Sequence, residues 1–275
     1  MKKSRIVTGL SVAAFSLLLA ACGSSGGSDS DSSEDSGKVT KITVATGNDA
    51  LPYAYLDENG KYDGYDVAVV KAIDKKLKDY SFTFEGSDFP TTLSNLESNK
   101  AQMAAYEYEV NDERKEKFVY GDVGYVVWDT YISYDPDKGE TYNTFDDLKG
   151  KKVYVTTSTN QAAMAENYLK DHPDAFTLVY GEYSNEQIVQ ALTSGAVDAT
   201  LAPKYQIDNY NKTFDVHLKI GDKPVHNSDA YLLFNKKTDT KLIEEVNKAL
   251  KELKEDGTIK KLSEKYLDGD YVPKD

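Results

Sequence analysis

Arg114 is the side chain of this sequence whose chemistry best suits a small carboxylate. Its planar guanidinium can donate two parallel hydrogen bonds to a carboxylate, whereas a lysine offers only a point charge. Arg114 stands, however, within a charged run at residues 112–117. Such runs usually form solvated helix surfaces, so the spacing alone favours an exposed arginine over a binding one.

A second anion site is predicted where residues 157–161, Thr-Ser-Thr-Asn-Gln, follow a predicted strand and open a predicted helix. The first N–H groups of a helix have no partner within it, and they favour a negative charge. Ser158 and Gln161 also have the spacing of a capping box. A capped helix is the simpler interpretation, and it holds whether or not an anion binds there.

Glu107 and Glu109 are candidates for binding a cationic amine. They alternate with Tyr106 and Tyr108, so strand geometry predicts both glutamates on one face and both tyrosines on the other. Two carboxylates near Arg114 would partly neutralise it and could receive an ammonium group. An exposed strand end is an equally good interpretation of the same pattern.

Catalytic constellations are missing from the sequence. It has no Gly-x-Ser-x-Gly segment and no phosphate-binding loop, and three histidines and one cysteine leave little for a metal centre. We therefore expect no cofactor, no metal and no enzymatic activity. The net charge of −13 argues against nucleic acid and against an anionic lipid surface as main partners.

Residues 1–21 are predicted to be an export signal and not part of the fold. A basic start precedes an apolar run that is too short for an ordinary transmembrane helix. The run ends in Leu19-Ala20-Ala21-Cys22, which resembles the bacterial lipobox. That resemblance implies cleavage before Cys22 and a lipid on its sulfur; an incidental small residue is the alternative. Residues 22–38 are rich in Gly, Ser and acidic residues, which predicts a flexible tether.

Strand and helix patterns alternate along the rest of the chain, and they position these candidate residues. The predicted strands are residues 41–46, 81–84, 101–106, 123–134, 152–156, 177–180 and 198–201. The predicted helices include one with Asp66 as its N-cap, then residues 91–98, 111–118, 160–170 and 185–194, and two helices that end the chain with Gly257 between them. The strand–helix pattern starts twice, and such alternation predicts an α/β fold with mostly parallel sheets.

Five segments together resemble the bacterial extracellular solute-binding proteins of family 3. They are residues 57–66, 111–118, 147–153, 194–199 and 247–258, and they follow the family's order over most of the chain. The resemblance implies an α/β, two-lobed, periplasmic-binding-protein-like fold of type II, with a mostly parallel sheet flanked by helices in each lobe. It also implies two crossing hinge strands and a ligand held between the lobes.

The lobe boundaries follow from this resemblance. The expected first lobe comprises residues 39–127 and 232–270, and the expected second lobe comprises residues 128–231. The hinge strands are expected at residues 126–130 and 228–231.

The resemblance also implies which residues bind the ligand. Arg114 matches the family arginine that binds the ligand carboxylate, and Ser158, Thr159 and Asn160 match the segment that binds the same carboxylate from the second lobe. The family often has glycine at the position of Ser158. Phe89 matches a position that often stacks on the ligand.

The sequence departs from the family pattern where the ligand ammonium binds. Pro203, followed by Lys204, stands where the family commonly has an aspartate. The amine is therefore expected to bind Glu107 or Glu109, with Asp49 as a weaker candidate.

The first loop departs from the family pattern as well. Ala50 stands near the position of an aromatic residue that would stack on the ligand. We expect Tyr53 or Tyr183 to compensate, although a tyrosine is more often part of the packing than a ligand contact.

The predicted function is a lipid-anchored receptor on the outer face of the bacterial cell membrane, which delivers a polar amino acid to an ABC permease and its ATPase. Cystine is favoured because residues 106–114 look most like the cystine-type branch; glutamine and other polar amino acids stay open. A monomer is expected that touches the membrane only through its lipid. Two alternatives are an exported cyclohexadienyl-dehydratase-like enzyme of the same fold and a tethered amino-acid sensor.

Overall fold

A computed structural model describes residues 39–274. The predicted signal, the tether and Cys22 lie outside the described residues. The strands are β1 (Thr40–Thr46), β2 (Asp49–Ala50), β3 (Ala54–Leu56), β4 (Tyr62–Asp63), β5 (Tyr80–Gly86), β6 (Met103–Glu109), β7 (Phe118–Tyr120), β8 (Val126–Val127), β9 (Thr130–Tyr134), β10 (Lys151–Thr156), β11 (Phe176–Gly181), β12 (Ala199–Pro203), β13 (Lys219–Ile220) and β14 (Asp229–Asn235). The helices are α1 (Tyr65–Lys76), α2 (Phe89–Glu97), α3 (Asp112–Lys117), α4 (Asn160–Asp171), α5 (Asn185–Ser194), α6 (Lys204–Phe214), α7 (Thr240–Glu255) and α8 (Thr258–Leu267).

Two sheets with a similar order form the two lobes. The first sheet has the order β5-β1-β6-β14-β7, with β8 also paired to β14, and the second has the order β11-β10-β12-β9-β13. In each sheet a central strand has parallel neighbours on both sides, as expected where helices cross between strands. The repeated order confirms that the strand–helix pattern starts twice.

The sheets are mixed, which refines the prediction of mostly parallel sheets. β14 runs antiparallel to β6, β7 and β8, and β9 runs antiparallel to β12 and β13. Both reversed strands directly follow a segment that crosses between the lobes, so they enter their sheets from the opposite direction. The three-stranded sheet β2-β3-β4 was not predicted, because its strands have two or three residues and carry no alternation signal.

The core of the first lobe is closed by α1, α7 and α8. The predicted apolar face of α7 is buried, with Leu242, Val246, Ala249 and Leu253 each at most 5% exposed. Burying such a side chain stabilises a fold by about 1.5–3 kcal/mol. Gly257, at φ 77°, separates α7 from α8 as predicted, because glycine adopts this left-handed conformation without strain.

Asp66 is not the N-cap of α1, contrary to the prediction. The cap position is Gly64, at φ 115°, and the helix starts at Tyr65. A Cβ on Gly64 would lie 2.2 Å from the backbone oxygen of Tyr53, so this turn requires glycine. Asp66 therefore lies inside the first turn, where its side chain is completely buried instead of capping the helix from outside.

Helix α6 was missed in the sequence. Its buried face consists of Tyr205, Ile207 and Tyr210, and its remaining residues are polar except for Phe214 at its end. Because two of the three inward residues are tyrosines, hydrophobic periodicity is weak there.

The chain crosses between the lobes twice, and the two crossing segments lie side by side. The Trp128 N–H donates to the Ser228 carbonyl at 2.7 Å, and the Thr130 N–H donates to the His226 carbonyl at 2.8 Å. β14 already pairs with β8 from Asp229 onward, although the predicted second lobe extends to residue 231. The boundaries at 127/128 and 231/232 stay predictions.

Within residues 39–274, none of the helices is both long enough and apolar enough to span a bilayer.

Candidate ligand-binding site

A cavity of ≈ 330 Å³ lies between the two lobes. Residues of the loops after β1 and β5, of β6 and of α3 contribute to its first wall, and residues of β10, β12, α6 and the starts of α4 and α5 contribute to its second. Its lining includes Asn48, Asp49, Tyr53, Asp88, Phe89, Tyr106, Glu107, Glu109, Arg114, Trp128, Tyr154, Thr159, Asn160, Gln161, Glu182, Tyr183, Asn185, Gln206 and Tyr210.

Arg114 is buried at the edge of this cavity, with 4% of its surface exposed. Asn111 caps α3 by accepting from the Arg114 N–H, and this fixes where the side chain leaves the helix. The guanidinium lies 5.3 Å from the ring centre of Phe89 and 5.6 Å from that of Tyr108. Arg114 is the buried residue of α3, so the exposed arginine that spacing alone favoured is wrong.

The guanidinium of Arg114 joins the two lobes. Its Nη1 donates to the Glu109 carbonyl at 3.0 Å, and its Nη2 donates to the Ser158 carbonyl at 2.6 Å. An arginine has five N–H donors, so these two bonds leave donors for a ligand carboxylate.

Ser158 lies behind Arg114 and outside the lining of the main cavity. It lines a smaller cavity on the far side of Arg114. Its backbone has φ 63°, a left-handed conformation that favours glycine. This conformation gives a physical reason for the glycine that the family often has here.

The start of α4 differs from the predicted capping box. Thr159, and not Ser158, is the N-cap, and its hydroxyl accepts from the Ala162 N–H at 3.1 Å. Gln161 is therefore free of a capping role, and its side chain points to the first lobe instead.

Glu109 is held almost entirely by side chains that reach it from the second lobe and the crossing segments. Its Oε1 accepts from Asn160 Nδ2 at 3.2 Å and from Ser228 Oγ at 2.5 Å, while its Oε2 accepts from Gln161 Nε2 at 2.7 Å. Burial raises the pKa of the Glu109 carboxyl, and these three hydrogen bonds oppose the rise. Three donors leave little capacity for a ligand amine.

Glu107 does not share the environment of Glu109, because the strand is irregular between them. Glu107 has φ 46°, and the pairing of β6 with β14 shifts register near this position. The predicted alternation is therefore wrong: Tyr106 lines the cavity together with both glutamates, while Tyr108 packs against Phe89. Burial and the neighbouring Asp66 raise the pKa of the Glu107 carboxyl well above its usual value.

The remaining predicted residues also line the cavity, in different ways. Phe89 packs edge-on against Tyr106 at 5.2 Å, and Asp49 is exposed at the rim. Tyr53 is 3% exposed and packs against Trp128, with ring centres 5.2 Å apart. The structure thus brings together Arg114, Glu107, Glu109, Phe89, Thr159, Asn160, Asp49 and Tyr53 around one cavity.

Lys204 and Pro203 do not belong to the cavity lining. Pro203 ends β12 opposite Thr130, and Lys204 forms an ion pair with Asp208 one turn along α6. The next turns of the same helix supply Gln206 and Tyr210 to the cavity instead.

Several lining residues were not predicted from the sequence. Trp128 and Gln206 lie in segments that carried no site signal.

Tyr183, a predicted candidate for stacking, is stacked on Tyr154 with ring centres 4.7 Å apart. Asn185 Nδ2 donates to the Leu51 carbonyl at 3.0 Å, which makes another contact between the lobes.

Among the described residues, 39–274, there is no group of three or more histidine, cysteine or acidic side chains placed to hold a metal ion.

Comparisons with known proteins agree with this architecture. The model of the family described as bacterial extracellular solute-binding proteins, family 3, matches residues 42–269. The L-cystine-binding protein TcyK of Bacillus subtilis is 35% identical over 260 residues, which cover 94% of each chain.

Solved structures give the same result. A putative L-cystine ABC transporter protein from Listeria monocytogenes superposes with a TM-score of 0.79 at 36% identity, covering 86% of this chain and 99% of the other. A Streptococcus mutans structure described in connection with glutathione import via GshT and the cystine importer TcyBC has a TM-score of 0.78 at 26% identity, covering 86% and 98%.

Proposed function

As the chain belongs to family 3 of the bacterial extracellular solute-binding proteins, we propose that it captures L-cystine, as the lipid-anchored receptor of an ABC importer, in the cavity between its lobes. That it is an amino-acid-binding protein of an ABC transporter follows from the family and its relatives. The choice of cystine and the lipid anchor are the parts that need testing.

The observation that carries the proposal is the position of Arg114. A buried guanidinium at the junction of the lobes needs an anionic or carbonyl partner, and two backbone carbonyls occupy only part of its donor capacity. The start of α4 adds unpaired backbone N–H groups on the facing wall. A ligand carboxylate placed between them would bind both lobes at once and favour their approach.

The preference for cystine is supported by the length and polarity of the cavity. Beyond Arg114 the lining continues to a second helix start, at Asn185 and Gln187 of α5, and to the acidic Asp88 and Glu182. Cystine is two amino acids joined through sulfur, and its second half needs polar partners at a distance from the first. Two relatives with 35–36% identity, from Bacillus subtilis and Listeria monocytogenes, are described as an L-cystine-binding protein and a putative L-cystine ABC transporter.

A ligand screen by thermal unfolding tests the proposal. Purified protein is heated with L-cystine, oxidised glutathione, cysteine, glutamine or arginine, and we expect L-cystine to raise the melting temperature most. A ligand at a hundred times its Kd stabilises the folded state by about 2.7 kcal/mol. A shift with glutamine or arginine and none with cystine would contradict the choice of ligand.

The same samples separate a receptor from an enzyme. After incubation with the protein, mass spectrometry should recover the bound amino acid unchanged. A product that accumulates with time in proportion to protein would show that the protein is an enzyme and not only a receptor.

The lipid anchor is proposed on Cys22. Its support is the pattern Leu19-Ala20-Ala21-Cys22 after an apolar run, and the fact that the chain has one cysteine. Two acyl chains on a diacylglycerol would hold the protein stably at a membrane where one chain would not.

A further inference from the structure

Asp66 and Glu107 present two buried carboxyl oxygens that have no hydrogen-bond donor. Asp66 is completely buried in the first turn of α1, and Glu107 is 6% exposed in β6. Asp66 Oδ1 accepts from the Tyr125 hydroxyl at 2.7 Å, but Asp66 Oδ2 and Glu107 Oε1 lack partners among the described residues. The Tyr125 hydroxyl joins the two residues, because it donates to Asp66 Oδ1 and accepts from the Glu107 N–H at 3.3 Å. The two carboxyl groups are therefore neighbours in the same buried site.

A proton between the carboxyl groups would satisfy both oxygens at once. Two adjacent carboxylates in a buried site repel each other and cannot easily both be ionised. A protonated carboxyl, in contrast, donates to its neighbour and leaves one negative charge on the pair. Burial raises the pKa of both groups, and the charge of Asp66 raises that of Glu107 further.

The titratable groups that face the pair are phenols. They come from the loop before β3, from α1, β6 and α6, and from the segment before β8: Tyr53, Tyr65, Tyr106, Tyr108, Tyr125 and Tyr205. Burial raises the pKa of each of them, so they stay neutral at neutral pH, and a phenol has no positively charged form that could compensate a second negative charge. A cation that compensates the pair must therefore come from outside the fold.

Residues that line the cavity beside the pair have buried polar atoms without hydrogen-bond partners among the described residues. Glu107, Tyr53 and Trp128 all line it. The Tyr53 hydroxyl and Trp128 Nε1 are buried without a hydrogen-bond partner in the described residues, as is Glu107 Oε1. Glu107 Oε2 is not among the buried atoms that lack a partner. Buried polar atoms without partners are costly, so this part of the cavity wall is polar and incompletely hydrogen-bonded.

We propose that Asp66 and Glu107 share a single proton, and that this singly charged pair is the subsite for the cationic amine of the ligand. The assignment of the amine rests on the proposed function; the shared proton does not. An ammonium group at Glu107 Oε2 favours the arrangement with the proton on Asp66 Oδ2 and the charge on Glu107. The proton then moves within the pair, and none leaves the protein.

The pair also explains how the site works without the aspartate that Pro203 replaces. Glu109 does not compete for the amine, because its oxygens already accept from Ser228, Asn160 and Gln161. The charge for the amine therefore comes from the first lobe, from Glu107 backed by Asp66.

Infrared spectroscopy tests the shared proton without any ligand. In D₂O at neutral pH, we expect the carbonyl stretch of a protonated carboxylic acid in the unmodified protein. The band should be absent from Asp66→Asn and from Glu107→Gln, and it should persist in Glu85→Gln, which changes an exposed glutamate of β5. Absence of the band from the unmodified protein overturns the proposal, and this result does not depend on how well the variants fold.

Calorimetry with L-cystine tests the amine subsite. In Asp66→Asn an amide N–H takes the place of the shared proton and Glu107 keeps its charge, so the loss of affinity should be smaller than in Glu107→Gln. In Glu107→Gln the remaining negative charge lies on Asp66, and the uncharged amide separates it from the ligand amine. The affinity should therefore fall at least tenfold, which is about 1.4 kcal/mol. Normal binding by Glu107→Gln, or equal loss in both variants, overturns the subsite.

The two experiments separate this inference from the proposed function. If the unmodified protein binds no amino acid, the proposed function fails while the infrared band still reports on the pair. If the protein binds L-cystine but shows no band, the pair fails while the function stands.

Discussion

Arg114 can serve a ligand because its fixed partners are carbonyls and not carboxylates. A carboxylate would neutralise the guanidinium and compete directly with a bound amino acid. The carbonyls of Glu109 and Ser158 instead orient the side chain and leave its charge in place. The rings of Phe89 and Tyr108 add a cation–π contribution to the same orientation.

Replacing Arg114 tests the carboxylate site. We expect Arg114→Ala to weaken L-cystine binding by about 2–5 kcal/mol, as for removing one partner of a buried charged pair. Arg114→Lys should restore only part of the affinity, because lysine lacks the planar fork. The matched control is Lys115→Ala, an exposed charge on the same helix. Wild-type affinity in Arg114→Ala, measured by calorimetry, would show that the carboxylate binds elsewhere.

Ser158 stores backbone strain that glycine would release. A residue with a side chain in the left-handed region costs about 1–2 kcal/mol, and Ser158 has φ 63°. We expect Ser158→Gly to raise the free energy of unfolding by up to about 1 kcal/mol, because glycine loses more backbone entropy on folding. Urea denaturation measures it, with Ser194→Gly in α5 as a control that should destabilise. A lower stability of Ser158→Gly would contradict the argument.

The carboxyl pair should give stability a distinct dependence on pH. Because burial raises the folded-state pKa of Asp66 and Glu107, the folded protein binds more protons than the unfolded chain. Their contribution is present below the ordinary carboxyl pKa of about 4, and it is lost as pH rises through the raised values. Asp66→Asn should flatten this fall in melting temperature between about pH 4 and pH 7. An unchanged slope relative to wild type would count against the raised values.

Sequence patterns identified the residue types around the cavity but not their separate roles. Burial of Arg114 depends on Phe89 and Tyr108, which come from other elements, so a local charge run could not predict it. Glu107 and Glu109 have different surroundings because Glu107 has a positive φ and the pairing of β6 with β14 shifts register. The simple alternation of side chains along a strand does not predict either feature. Asp66 appeared as a helix cap because its hydrogen-bond partner, Tyr125, is distant in sequence.

At the scale of elements, β6 and α4 form the main latch between the lobes. Gln161 Nε2 of α4 donates both to Glu109 Oε2 at 2.7 Å and to Thr130 Oγ1 at 3.2 Å. One side chain thus ties the end of β6 to the start of β9 from the opposite wall of the cavity. A hydrogen bond to a charged group contributes about 1.5–3 kcal/mol.

Removing this latch should weaken binding without removing any predicted ligand contact to Arg114. We expect Gln161→Ala to lower the affinity for L-cystine by at least tenfold, because Glu109 loses a donor and the lobes lose a contact. Gln190→Ala, an exposed residue of α5, is the matched control. Calorimetry on both variants decides; equal affinities would mean that the latch does not favour the ligand-bound state.

Most elements were predictable because their signals are local. The helices α5 and α7 and the parallel strands β1 and β10 follow from periodicity, caps and β-branched residues. The direction of β9 and β14 was not predictable from any local signal, since it depends on where the chain crosses between the sheets. The start of α6 was hidden by its tyrosine-rich face.

At the scale of the whole molecule, the proposed lipid on Cys22 would hold the receptor at the membrane. We expect Cys22→Ala to release the protein into the soluble fraction or the medium while its melting temperature stays unchanged, because Cys22 lies well before the first strand at Thr40. Cell fractionation with immunoblotting measures the release, and Ser25→Ala in the same segment is the control. Membrane retention of Cys22→Ala at the wild-type level would contradict acylation at this residue.

The hydrogen bonds between the lobes affect how loaded and empty receptors compete for the permease. The Arg114–Ser158, Gln161–Glu109 and Asn185–Leu51 contacts use protein atoms alone, so an empty receptor can also bring its lobes together. An empty receptor that docks in this form would occupy a place at the permease that a loaded receptor needs. When ligand is scarce and receptors greatly outnumber permeases, the rate of uptake should therefore decline. Variants that weaken these contacts between the lobes should restore part of that rate, because fewer empty receptors would compete for the permease.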